Sequence, residues 1–100
     1  MRQLNSVLIE GTIVNYYTMP NGAETHTIIE NISQEGYKTT VRVIAREGLA
    51  EKMHGTLCVG RSIRAVGRLI DSKEHYGESE FSHVLAEHIE LRTYRTEDPG

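Results

Sequence analysis

Residues 59–69 read Val59-Gly60-Arg61-Ser62-Ile63-Arg64-Ala65-Val66-Gly67-Arg68-Leu69, and this stretch decides the fold. Gly60 reads as the turn that opens a strand. Beyond it Ile63, Ala65 and Leu69 share one face of an extended chain, and Arg64 and Arg68 stand on the other. Gly67 interrupts the alternation. A glycine inside a strand pattern marks a bulge, a sharp bend or a close backbone approach, and a small barrel needs one where a strand curls from one sheet into the next. The expectation is a small barrel with a basic outer groove.

On the N-terminal side, residues 5–15 alternate, with Val7, Ile9, Gly11 and Ile13 on one side and Ser6, Leu8, Glu10 and Thr12 on the other. This is a first strand with its own central glycine. Tyr16 to Met19 lead into Pro20-Asn21-Gly22, where proline presets φ and Asn-Gly tolerates positive φ, so a hairpin turn is expected. Residues 25–32 make a second strand whose inward face the pattern leaves open. After a polar turn at Ser33-Gln34-Glu35-Gly36 comes a third strand over 37–46, with Val41, Val43 and Ala45 opposite Thr40, Arg42, Ile44 and Arg46.

Residues 47–54 are the one helical candidate. Leu49, Ala50 and Met53 share a side, and Gly55 sits where a C-terminal left-handed residue is wanted. On the C-terminal side of the opening stretch, a polar loop at 74–79 precedes a fifth strand over 81–92. Its apolar set changes parity from Val84 and Ala86 to Ile89 and Leu91, which calls for a bulge near Glu87 and His88. The order is three strands, a short helix and two strands, the layout of the all-β, five-stranded oligonucleotide/oligosaccharide-binding (OB) barrel with its helix between strands three and four.

A chain of 100 residues with 38% hydrophobic content supports one domain with one modest core. The expected division is a barrel domain over residues 1–93 and a flexible end over 94–100. The net charge of −3 is not that of a bulk nucleic-acid binder, but its distribution is uneven. Acidic residues gather at 74–80 and 87–98, whereas Arg42, Arg46, Arg61, Arg64 and Arg68 occupy the middle.

The lone Cys58 has no partner for an internal disulfide and reads as a small half-buried residue before a strand, which suits a reducing compartment. The start, Met1-Arg2-Gln3-Leu4-Asn5, carries no long apolar run and no segment approaches a membrane span, so a cytoplasmic location is expected. The five histidines are dispersed, with no metal-ligand spacing, and neither a nucleophile elbow nor a phosphate-cradling loop is present. Neither an active site nor a cofactor is expected.

Four blocks of the chain resemble the bacterial single-stranded-DNA-binding proteins. They are Asn5-Ser6-Val7-Leu8-Ile9-Glu10-Gly11, Met19-Pro20-Asn21-Gly22-Ala23, Val43-Ile44-Ala45-Arg46-Glu47-Gly48-Leu49-Ala50-Glu51, and residues 59–69, in matching order and separation. The resemblance implies an OB fold, assembly as a homodimer or homotetramer built partly through the first strand, and binding of single-stranded DNA with little sequence preference during replication, recombination or repair. The chain departs from the family in lacking tryptophan. The positions where the family places stacking aromatics read Thr40, Arg46 and Glu74 or its neighbours. Tyr16, Tyr17, Tyr37 and Tyr76 remain as sources of π-faces.

The DNA-binding set expected on this basis is Thr40, Arg42, Arg46, Arg64, Arg68, Lys73 and Tyr76. Its arginines alternate outward on the third and fourth strands as a phosphate track, against the alternative of a solvated face with cross-strand pairs to Glu10 or Glu87. The 100 residues end Glu97-Asp98-Pro99-Gly100 and do not include the linker and acidic tip of full-length family members, as expected of either a trimmed domain or a short relative. A short relative similar to the primosomal replication protein N, acting in replication restart through protein contacts, is the alternative reading.

Overall fold

Period-2 alternation becomes a closed barrel in the computed structural model, which describes residues 3–19, 23–71 and 82–92. The chain forms β1 (Val7–Thr18), β2 (Glu24–Ile32), β3 (Lys38–Arg46), α1 (Glu47–Met53), β4 (Ser62–Ile70) and β5 (Ser82–Leu91). Around the barrel the strands run β1-β2-β3-β5-β4, with β3 and β5 parallel and the other neighbours antiparallel. This is the OB architecture with its helix between β3 and β4. The expected turn at Pro20-Asn21-Gly22, the loop residues Lys73, His75 and Tyr76, Phe81 and the end at 94–100 lie outside the described residues. No helix among the described residues is long and apolar enough to cross a membrane.

The core is filled by the inward set: Ile13, Ile29, Val41, Val43, Ala45, Ile63, Ala65, Val84, Ala86 and Ile89. Ala50 and Met53 of α1 close one end, with Leu49 packed beside them. Burying each large aliphatic side chain contributes about 1.5–3 kcal/mol. Gly60 opens β4 at φ +95°, and its N–H donates to the Ile13 carbonyl at 2.8 Å, so the turn is tied to β1.

Gly67 marks the close approach that its place in the sequence foretold. A side chain there would run into the Leu85 carbonyl oxygen and stand 2.8 Å from Ala86 Cα. Opposite it, the β4–β5 register skips Glu87, because Val66 pairs with His88 and Gly67 with Ala86. The expected bulge is therefore in β5, and it returns Ile89 to the core after Ala86.

Four expectations are corrected. The first strand does not end at Asn15. β1 pairs with β4 as far as Thr12 and with β2 from Thr12 to Thr18, across a register shift between Ile13 and Asn15, so Tyr16 and Tyr17 belong to the strand. Leu69 keeps the inward parity of β4, opposite Val84, but is 51% exposed instead of buried, because the β1–β4 ladder ends at Val7 and Gly67. There the Asn5 side chain takes over, donating to the Leu69 carbonyl at 2.8 Å and accepting from its N–H at 2.9 Å. Cys58 is exposed, Leu57 having taken the place against the core. Finally, β3 and β4 are not adjacent, since β5 lies between them.

Candidate nucleic-acid interface

Barrel closure separates the expected arginines. On β3 the outward residues Thr40, Arg42, Ile44 and Arg46 face across the ladder to Glu30, Ile28, His26 and Glu24 of β2. Tyr17 of β1 continues the His26 rung. Arg42 and Arg46, four residues apart, are about 13 Å from each other along the strand. On the other side of β3, Ile44 pairs with Leu85 and Leu85 with Arg68. Arg68 therefore shares this rung at about 10 Å, two strand spacings away.

Arg64 does not join them. Its rung runs from Glu10 of β1 to Glu90 of β5. Its Nη2 lies 2.5 Å from Glu10 Oε2 and its Nη1 3.8 Å from Glu90 Oε1. Arg92 Nη1 reaches the same Glu10 oxygen at 2.9 Å. The Arg64 hydrogen bond and charge hold the Glu10 carboxyl below its ordinary value, against a small push from burial and with help from Arg92. This is the cross-strand pairing that the sequence offered as the alternative to phosphate contact. Lys73 and Tyr76 fall outside the described residues, and Thr40 is half-buried on the outer face of β3.

Around Arg42 the side chains form a connected patch. The Tyr17 and His26 rings stack with centroids 5.1 Å apart at 23°. The Arg42 guanidinium lies over Tyr17, its Cζ 5.7 Å from the ring centroid, and donates to the Tyr17 hydroxyl. The same Nη1 is 3.1 Å from His26 Nδ1. His26 Nε2 is 2.9 Å from Glu24 Oε1, and Arg46 Nε donates to Glu24 Oε2 at 3.1 Å. Burial pushes the Glu24 carboxyl up, but hydrogen bonds from His26 and Arg46 and the Arg46 charge outweigh it and hold it below the ordinary range.

The patch has an open side and a closed one. Tyr17 keeps 40% of its surface exposed, whereas His26, Ile28 and Ile44 beneath it are at most 6% exposed. Both faces of β2 are thus buried over Thr25 to Ile29, which is why alternation alone left its inward face open. An aromatic ring and two cations on one partly open surface can stack a base and meet phosphates.

His26 and Glu24 were not among the expected site residues. A signal for His26 was nevertheless present. The pairs Tyr17 with His26 and Thr18 with Thr25 are symmetric about Asn21-Gly22, so centring the hairpin on that dipeptide puts Tyr17 opposite His26.

No family model matches the chain, and no curated protein matches it. Solved structures do. The small single-stranded DNA-binding protein from Streptomyces coelicolor superposes at TM-score 0.71 with 18% identity, over 92% of this chain and 95% of that one. The second single-stranded DNA-binding protein from Mycobacterium smegmatis gives 0.68 at 20% identity, over 87% of each chain. The dimeric N-terminal domain of PriB protein from Thermoanaerobacter tencongensis gives 0.63 at 18% identity, over 90% of this chain and 98% of that one. The structural neighbours of this barrel are therefore bacterial single-stranded-DNA-binding proteins and PriB, and the likeness establishes an OB fold along nearly the whole chain.

Proposed function

We propose that this chain is a non-catalytic module that binds single-stranded DNA with little regard to sequence, in replication, recombination or repair. The observation that carries this reading is the patch on the outer face of β1, β2 and β3, where Arg42 contacts Tyr17 and Arg46 follows about 13 Å further along β3. Every base has a π-face, so stacking on Tyr17 is indifferent to sequence, and the cations meet a backbone that all sequences share. Thr40 lines the same face, Arg68 extends it across β5, and Lys73 and Tyr76, between β4 and β5 in the sequence, complete the proposed set. Arg64, engaged by Glu10 and Glu90, contributes little.

Support comes from the fold's neighbours, two of which are named for binding single-stranded DNA. The assembly proposed is a homodimer or homotetramer in the cytoplasm, and the PriB neighbour is a dimer. Fluorescence anisotropy of labelled oligo-dT at two salt concentrations, with the mass in solution measured alongside, tests both parts. Binding that weakens steeply with salt is expected. An absence of binding at low salt overturns the reading.

A second reading, an accessory protein of replication restart that works mainly through protein contacts, has the PriB likeness on its side. It predicts poor affinity for single strands together with capture of a helicase or primosome component from a lysate.

A further inference from the structure

We infer that His26 is the positioning residue of this face: an imidazole carrying its one proton on Nε2, which holds the Arg42 guanidinium against Tyr17 so that ring and cation meet a nucleotide as a preset unit. The inference rests on the single-stranded-DNA reading above and assigns the part of that site which contacts no nucleotide.

The protonation pattern follows from donor and acceptor chemistry. A guanidinium has N–H donors and no acceptor. Arg42 Nη1 is 3.1 Å from His26 Nδ1, so this nitrogen presents its lone pair. The Tyr17 hydroxyl, which accepts from Arg42, stands 3.4 Å from the same nitrogen with its own proton to give. The ring proton is then on Nε2, where Glu24 Oε1 receives it at 2.9 Å. The other Glu24 oxygen accepts from Arg46 at 3.1 Å. The polar contacts run as one series from Arg46 through Glu24 and His26 to Arg42 and Tyr17.

Burial makes the series directional. His26 is 1% exposed, so it reaches no ligand itself, and its ring lies flat beneath Tyr17. Its two nitrogens look along the sheet, one to Arg42 and one to Glu24. An arginine on an open face samples many rotamers and loses that freedom on meeting a phosphate or base. Arg42 has already lost it, and a preset contact binds more tightly than one ordered on arrival. A proton on Nδ1 would aim an N–H at the guanidinium and undo the arrangement.

Two substitutions separate the two nitrogens. The carboxamide oxygen of His26→Asn reaches the Nδ1 position and keeps an acceptor for Arg42. The longer side chain of His26→Gln reaches the Nε2 position and keeps the Glu24 contact while withdrawing the acceptor. With labelled oligo-dT, His26→Gln is expected to weaken binding about tenfold, His26→Asn less than about threefold, and Arg42→Ala at least as much as His26→Gln. Combining His26→Gln with Arg42→Ala is expected to add little to Arg42→Ala alone.

Thermal melts check that each variant is folded, and nitrogen NMR of the wild-type imidazole needs no variant. The Nε2–H tautomer is expected there, and an Nδ1–H or doubly protonated ring at neutral pH overturns the inference. If Arg42→Ala weakens binding and folded His26→Gln does not, the positioning role alone is overturned. If Arg42→Ala itself leaves affinity unchanged, the DNA-binding face falls and the positioning role with it.

Discussion

Gly67 of β4 lies so close to Leu85 of β5 that the Leu85 carbonyl oxygen occupies the space a side chain would need. The obstacle is backbone and cannot swing aside. Gly67→Ala is expected to cost about 3 kcal/mol, the upper end for overpacking a tight site. In a domain of this size that is a fall of roughly 10–20 °C in melting temperature. Gly11→Ala, whose Cβ would meet the Glu30 carbonyl at 2.9 Å, is expected to cost less. Thermal unfolding of the two variants gives the order, and equal melting of Gly67→Ala and wild type would contradict the close approach.

Acid is expected to destabilise the fold through Glu24 and Glu10. Both carboxyls titrate below the ordinary glutamate value of 4.5 in the folded protein. For a group depressed on folding, the contribution to stability is complete above the unfolded value and is lost as pH falls through the folded one. The melting temperature should therefore decline as pH drops below about 4.5, with Glu24→Gln and Glu10→Gln each flattening that decline. Melts across the acid range read this directly. An unchanged acid limb in Glu24→Gln would remove that carboxylate from the account.

The arginines are expected to divide by face. Replacing Arg42 and Arg46 together by Ala should weaken oligo-dT binding and reduce the slope of log affinity against log salt by about 1.4, or 0.7 for each lost phosphate contact. Arg64→Ala should leave both unchanged, because Glu10 and Glu90 already answer its charge. Anisotropy titrations across salt distinguish the two, and a loss in Arg64→Ala matching that of the double variant would restore the single track along β3 and β4.

Tyr17 is the expected stacking platform. Tyr17→Ala should weaken binding by about 1–3 kcal/mol, the worth of one base stacked on an aromatic ring. Tyr17→Phe keeps the ring and should lose less. Tyr16 pairs with Thr27 on the other side of the sheet, which makes Tyr16→Ala the control. Quenching of tyrosine fluorescence by oligo-dT should fall with Tyr17→Ala and persist undiminished with Tyr16→Ala.

Much of the barrel was legible in the chain. The alternation of Val41, Val43 and Ala45, the helical spacing of Leu49, Ala50 and Met53 with Gly55 at φ +82°, and the parity change at Glu87 are local patterns, and local backbone geometry enforces them. The site was legible only in part. Arg42 and Arg46 stand on the outer face where alternation put them, but alternation says nothing of which strand lies alongside, and Arg64 met Glu10 instead.

The sequence by itself determined the elements, their order and the inward side of most of them, since each depends on residues a few positions apart. Tertiary structure alone decided the neighbours. Closing the barrel placed β5 between β3 and β4, and the β1–β2 ladder, carried on past the shift after Ile13, brought Tyr17 over His26 and beside Arg42. Ring, imidazole and guanidinium come from three strands, and their meeting depends on register and closure, which are properties of the whole sheet rather than of any one stretch.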